Sequence, residues 1–75
     1  MNTSKLGISI RERRKRLGLD QRSLAEISGV SVHALSDIES GKANPTLKVI
    51  NALADSLGLE LRLELRVKRA VGEEN

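Results

Sequence analysis

Apolar positions in the middle of this chain recur at helical spacing rather than in the alternation of a strand. Leu24 and Ile27, and then Leu35 and Ile38, give two short stretches one apolar stripe each. Asp20 and Ser31 stand just ahead of these stretches, where a side-chain oxygen accepts from the free amides of a helix start, so helices are predicted from Gln21 and from Val32. Gly29 and Gly41 close them, because glycine adopts the left-handed conformation that stops a helix, which ends the first at Ser28 and the second at Ser40. Only Gly29, Val30 and Ser31 lie between, with Val30 placed to plug the angle. Upstream, Leu6, Ile10 and Leu17 line a helix that starts after Ser4 and runs to Leu17 ahead of Gly18, with Gly7 weakening its first turn. Downstream, Lys42 to Pro45 is a loop rich in breakers. Thr46 then caps a helix from Leu47 to Leu57, ending at Gly58, whose face of Leu47, Ile50, Leu53, Ala54 and Leu57 makes a lid over the core.

The period changes after Gly58. Leu59, Glu60, Leu61, Arg62, Leu63, Glu64, Leu65, Arg66, Val67 and Lys68 alternate strictly between apolar and charged, the pattern of a strand with one buried face. A lone strand in a helical chain leaves its backbone groups unpaired, and its simplest partner is the same strand of a second copy across a two-fold axis. The charges nominate a register. Centring the antiparallel pair on Leu63 sets Glu60 opposite Arg66, Arg62 opposite Glu64 and Leu61 opposite Leu65. A slip of two residues would face Arg62 or Glu64 with itself, at roughly 0.2 to 1 kcal/mol per like-charged pair. The competing reading is an extra helical turn or a disordered tail. The organisation is therefore a helical domain over 1–58, a dimerisation strand over 59–68 and a flexible tail over 69–75, the last a frayed end or a partner-binding segment.

A chain of 75 residues with 39% hydrophobic content makes one domain with a thin core, and a second copy would add to its stability. The formal charge of +3 and sequence pI near 9.8 permit a nucleic-acid partner without selecting one. Clustering says more. Arg11, Arg13, Arg14, Lys15 and Arg16 crowd the end of the first helix with only Glu12 between them, which reads as a solvated basic face or as a nucleic-acid contact. Without cysteine there is no disulfide, thiolate zinc site or thiol nucleophile, and the single histidine, His33, has no second ligand at metal spacing. No glycine-rich phosphate loop follows a strand, so the parts of an enzyme and of a cofactor site are missing. No apolar run approaches the roughly 20 residues of a membrane span, and the polar start does not resemble a signal peptide, so a cytoplasmic location without a membrane partner is expected. Aromatic residues are absent altogether. Single-stranded DNA and RNA binders stack bases on aromatic faces, which makes double-stranded DNA the better target.

The segment Ile10 to Leu59 resembles the Cro/phage-repressor (Xre) type of helix-turn-helix domain, on Gln21, Leu24, Ala25, Gly29, Val30, Ile38, Glu39 and Gly41 at family spacing. The resemblance implies a mainly α, lambda-repressor-like helical bundle whose third helix enters the DNA major groove, with the added C-terminal β-strand pairing across a dimer. It nominates Val32, His33, Ser36 and Asp37 as base readers: Val32 on a thymine methyl, His33 donating to a guanine acceptor, Ser36 adaptable, and Asp37 accepting from a cytosine amino group or drawn into an ion pair with an arginine. Many members carry glutamine where this chain has Val32 and His33, so the docking mode carries over and the base sequence does not. Phosphate contacts are implied for Gln21, Arg22, Lys42 and Asn44. Periodicity does not choose between Arg13 and Arg14 as the inward cation. The resemblance chooses Arg14, in an ion pair with Glu39 that ties the first helix to the third. The function implied is a sequence-specific repressor acting as a homodimer on a palindromic operator. A helix-turn-helix followed by such a strand is also similar to HipB-like antitoxins, which repress their own promoters and bind a kinase toxin. The alternative is a protein-interaction module, an antitoxin or assembly partner, with little DNA binding.

Overall fold

The computed structural model describes residues 2–65, which form four helices in the order α1 Thr3–Arg16, α2 Gln21–Ser28, α3 Val32–Glu39 and α4 Leu47–Leu57. Local chemistry sets each boundary. The side chains of Asn2, Asp20, Ser31 and Thr46 accept from the backbone N–H three residues on, and so satisfy the first turn of each helix. Asn2 is why α1 begins at Thr3, ahead of the expected start after Ser4: its Oδ1 accepts from Lys5 N at 2.8 Å. At the turn between α2 and α3, Gly29 takes φ 78° and donates to the Ala25 carbonyl at 2.9 Å. That left-handed residue lets the chain reverse within three residues.

All four helices share one core of Ile10, Leu24, Leu35, Ile38, Leu53 and Leu57, with Leu6, Leu19, Val30, Ala43 and Val49 packed against its rim. Val30 fills the angle between α2 and α3 as expected. Three expected core residues do not. Leu17 follows the last turn of α1 and is 44% exposed, while the inward line of that helix is Gly7, Ile10 and Arg14. Ile27 is 59% exposed. The buried direction of α2 lies between Leu24 and Ala25, and at ~100° per residue Ile27 falls roughly 110° away from it. Leu47, the first residue of α4, is 64% exposed and lies outside the lid formed by Ile50, Leu53 and Leu57.

Gly7 does more than weaken a turn. α1 crosses the end of α3 so closely that a Cβ at residue 7 would run into the Ile38 carbonyl oxygen and stand 2.9 Å from that of Glu39. The same crossing buries the one charged pair of the core. Arg14 Nε donates to Glu39 Oε2 at 2.7 Å and Arg14 Nη2 to Oε1 at 3.0 Å, a two-pronged contact with both residues 7% exposed. Arg14 Nη1 donates to the Leu19 carbonyl at 2.7 Å and Gln21 Nε2 to Glu39 Oε1 at 3.1 Å, which binds the α1–α2 loop and the start of α2 into the same knot. Arg13 is also committed, on the other flank of α1, where its Nε donates to the Leu57 carbonyl at the end of α4 at 2.9 Å.

Among the described residues no strand is formed. Leu59–Leu65 follows α4 without regular structure, and residues 66–68 of the expected strand and the tail over 69–75 lie outside the described residues.

Two outcomes test this packing. In an open helix Gly7→Ala would gain about 1 kcal/mol, but here the added carbon meets backbone, an overpacking cost of about 1 to 3 kcal/mol. Thermal melting of G7A is therefore expected several degrees below wild type, and a higher midpoint would show that the helices do not approach this closely. The second concerns acid. Burial pushes the Glu39 carboxyl up, but the hydrogen bonds from Arg14 and Gln21 and the charges of Arg14 and Arg11 outweigh it and hold Glu39 below the usual glutamate range. The folded protein thus binds this proton less tightly than the unfolded chain does. The contribution of the pair is present above the unfolded value of about 4.3 and is lost as pH falls through the lower folded value. Urea unfolding at stepped pH is expected to show wild-type stability level down to about pH 5 and falling below it. Glu39→Gln should start lower and fall less steeply. An equal acid slope in the two proteins would remove Glu39 from the account.

Candidate nucleic-acid interface

α3 has two faces with different duties. Leu35 and Ile38 turn inward and are 0% and 3% exposed, and Glu39 is locked to Arg14, so the helix is held from behind along its length. The opposite face carries no core contact. Val32 is 42% exposed, the His33 side chain 91% and Ser36 is exposed, while the Asp37 side chain is 40% exposed. These residues fall on adjacent turns of one surface, the i and i+4 spacing that a helix needs to present several side chains to one groove. His33 Nε2 stands 3.5 Å from Asp37 Oδ2. Among the described residues it is this histidine, one turn away on the same helix, and not an arginine, that stands beside Asp37.

The residues expected to contact the DNA backbone lie at the two ends of the motif. Lys42 and Asn44 are exposed in the loop that follows α3, and the Lys42 and Ala43 amides both donate to the Asp37 carbonyl, at 2.9 and 3.2 Å, so the loop folds back over the end of that helix. Arg22 is exposed in the first turn of α2, beside Gln21. Gln21 is half-buried and its amide donor is engaged by Glu39, which places it at the junction between the structural pair and the surface. Asp20 caps the same helix: hydrogen bonds from the Ser23 backbone and hydroxyl, with the charges of Arg22 and Arg14, hold its carboxyl below the usual aspartate range.

The structure therefore brings Val32, His33, Ser36 and Asp37 onto one helix face, sets Lys42 and Asn44 at one edge of it and Arg22 at the start of the preceding helix, and assigns Arg14 and Glu39 to the frame. Two residues with a fixed role were not singled out by sequence. Arg13 ties α1 to α4, and Gly7 permits the α1–α3 crossing. The signal for Arg13 lay in the unresolved choice between two adjacent arginines, both of which turn out to be inward on different flanks. Among the described residues no three His, Cys, Asp or Glu side chains gather as a metal site, and no helix is long and apolar enough to cross a membrane.

Comparison with known proteins follows the same lines. A helix-turn-helix family model matches residues 10–63. The chain is 34% identical over 74 residues to the ImmF control region 10 kDa protein of Bacillus phage phi105, covering 99% of this chain and 82% of that protein. It is 38% identical over 55 residues to the HTH-type transcriptional regulator DdrOP3 of Deinococcus deserti, covering 73% of this chain and 43% of that longer protein. Among solved structures, the restriction-modification controller protein C.AhdI from Aeromonas hydrophila superposes with a TM-score of 0.74 at 36% identity, over 77% of this chain and 88% of its own. With its capped α2 and α3, its three-residue turn and its buried Arg14–Glu39 pair, the chain belongs to the Cro/phage-repressor (Xre) type of helix-turn-helix proteins, a family of DNA-binding regulators.

Proposed function

We propose that this protein is a transcriptional repressor that binds a palindromic operator in double-stranded DNA as a homodimer, with one α3 in each of two successive major grooves. The observation that carries this reading is the outer face of α3, where Val32, His33 and Ser36 stand clear of the bundle while the opposite face is fixed by core and ion pair. A rigid helix with a bare polar edge suits the reading of base edges, and Arg22, Lys42 and Asn44 suit the phosphates on either side. The relatives support a regulatory role, since they include a phage control-region protein, a transcriptional regulator and a restriction-modification controller. Repression follows by occluding a promoter within the cytoplasm, with no cofactor required.

The dimer is drawn from the segment after α4. Leu63 and Leu65 stand bare to solvent at 102% and 96% exposure, and Leu61 lines an open groove with Leu47 and Asn51. Pairing two copies antiparallel about Leu63 would cover these leucines against both bundles and match Arg62 with Glu64 of the second chain.

Selection of sites by the purified protein from a random duplex library tests the whole reading. Enrichment of a two-fold palindrome with half-sites about one helical turn apart, ~34 Å, is the expected result. No enrichment at low salt would point instead to a protein-interaction module of the antitoxin kind, with the bare leucines as its contact. On the selected site, Lys42→Ala is expected to weaken binding to all sequences alike and to lower the salt slope by about 1, whereas His33→Ala relaxes preference at one base pair by about 1 to 3 kcal/mol. Titrations of both variants against matched and single-substituted duplexes check this, and indistinguishable behaviour of the two would overturn the proposed docking.

A further inference from the structure

The five cations at the end of α1 do not share one role. Arg14 points into the core and is spent on Glu39 and the Leu19 carbonyl, and Arg13 is spent on the end of α4. Arg16 and Lys15 are exposed near the helix end. Arg11 differs from all of these. It lies one turn before Arg14 and Lys15 and, with Gln21, Ser36, Glu39 and Ser40, lines an open polar cleft of about 180 Å³ between α1, the start of α2 and α3. The cleft lies against the recognition helix, since Ser36 belongs both to it and to the outer face of α3.

The charge in this cleft has a definite sign. Both Glu39 oxygens accept hydrogen bonds, one from Arg14 Nε and the other from Arg14 Nη2 and Gln21 Nε2, and the ion pair sums to zero. Arg11 faces the same carboxylate closely enough for its charge to help hold Glu39 ionised, yet its own side chain stays exposed. The surplus charge of the cleft is therefore that of Arg11. The cleft, about 180 Å³ and open to solvent, has room for a phosphate group. A planar guanidinium beside the exposed Ser36 hydroxyl matches the paired oxygens of a phosphodiester.

We infer that Arg11, with the Ser36 hydroxyl, forms a seat for one backbone phosphate of the bound duplex at the junction of α1 and α3, separate from the contacts of Arg22, Lys42 and Asn44. This rests on the DNA-binding reading above and adds α1 to the binding surface. It also gives Ser36 a backbone contact in place of a base contact.

The test compares wild type with Arg11→Gln and Arg16→Gln on one duplex, reading the association constant across a series of salt concentrations. Both variants lose one charge. At ~100° per residue, however, Arg16 lies roughly 140° round α1 from Arg11 and away from the cleft. Arg11→Gln is expected to bind about tenfold more weakly at physiological salt. It should lower the slope of log K against log salt by about 0.9, one phosphate's share, with base preference unchanged. Arg16→Gln should keep the wild-type slope. Equal slopes for the two variants, with wild type binding, would overturn the phosphate seat and leave the DNA-binding reading intact. Wild-type protein that shows no salt-dependent binding to any duplex would overturn that reading and the seat with it.

Discussion

α1 and α2 are both fastened to α3 through the carboxylate of Glu39. It receives Arg14 from α1 in two hydrogen bonds and Gln21 from the start of α2 in a third, while it is itself the last residue of α3. A charge in so enclosed a position is tolerated only when its partner is present and its lone pairs are filled; removing either member of such a buried pair costs about 3 to 5 kcal/mol. That is a large share of the roughly 5 to 15 kcal/mol that holds a small domain together. The pair does not add stability over a well-packed apolar substitute so much as define one arrangement of three helices. Close approach at Gly7 makes the same arrangement necessary, because α1 rests on the backbone of Ile38 and Glu39 with no side chain between.

The consequence for function is a division between the two sides of α3. Its inner side holds Leu35, Ile38 and Glu39 without freedom, and its outer side leaves Val32, His33 and Ser36 without any structural duty. Residues that hold no fold together are free to be chosen for what they touch. His33 and Asp37 modify this freedom, since at 3.5 Å each limits what the other offers to a base edge.

The parts of this fold that were legible in sequence are those set by local chemistry. Asp20, Ser31 and Thr46 announced three helix starts, and Gly29 and Gly58 two helix ends, because a cap or a left-handed residue acts within a few positions of itself. What depended on the relative placement of helices was not legible. Ile27 satisfied the helical period and is nonetheless 59% exposed, because the period states which residues share a face and not which face meets the core. Gly7 read as a weak point, since the backbone it accommodates is more than thirty residues away in the chain. Of the candidate binding surface, the proposed readers on α3 were nominated by family resemblance. The three fates of Arg11, Arg13 and Arg14 required the positions of α3 and α4 to be known.

A single copy of this domain offers few means of choosing a sequence. Each well-made contact to a base pair discriminates by about 1 to 3 kcal/mol, and the candidates here, once Ser36 is given to the phosphate seat, are a valine and a histidine and aspartate that stand beside each other. Specific DNA binding stands about 4 to 10 kcal/mol above non-specific binding, so one outer face with two such contacts, about 2 to 6 kcal/mol together, covers only the lower half of that range, whereas two faces acting together, about 4 to 12 kcal/mol, span it. The contacts to phosphate do not close this gap, because they strengthen every sequence equally. A second copy would, since it doubles the candidate readers and ties them to a fixed spacing. In the proposed dimer, the exposed leucines at 63 and 65 would be what joins the two faces.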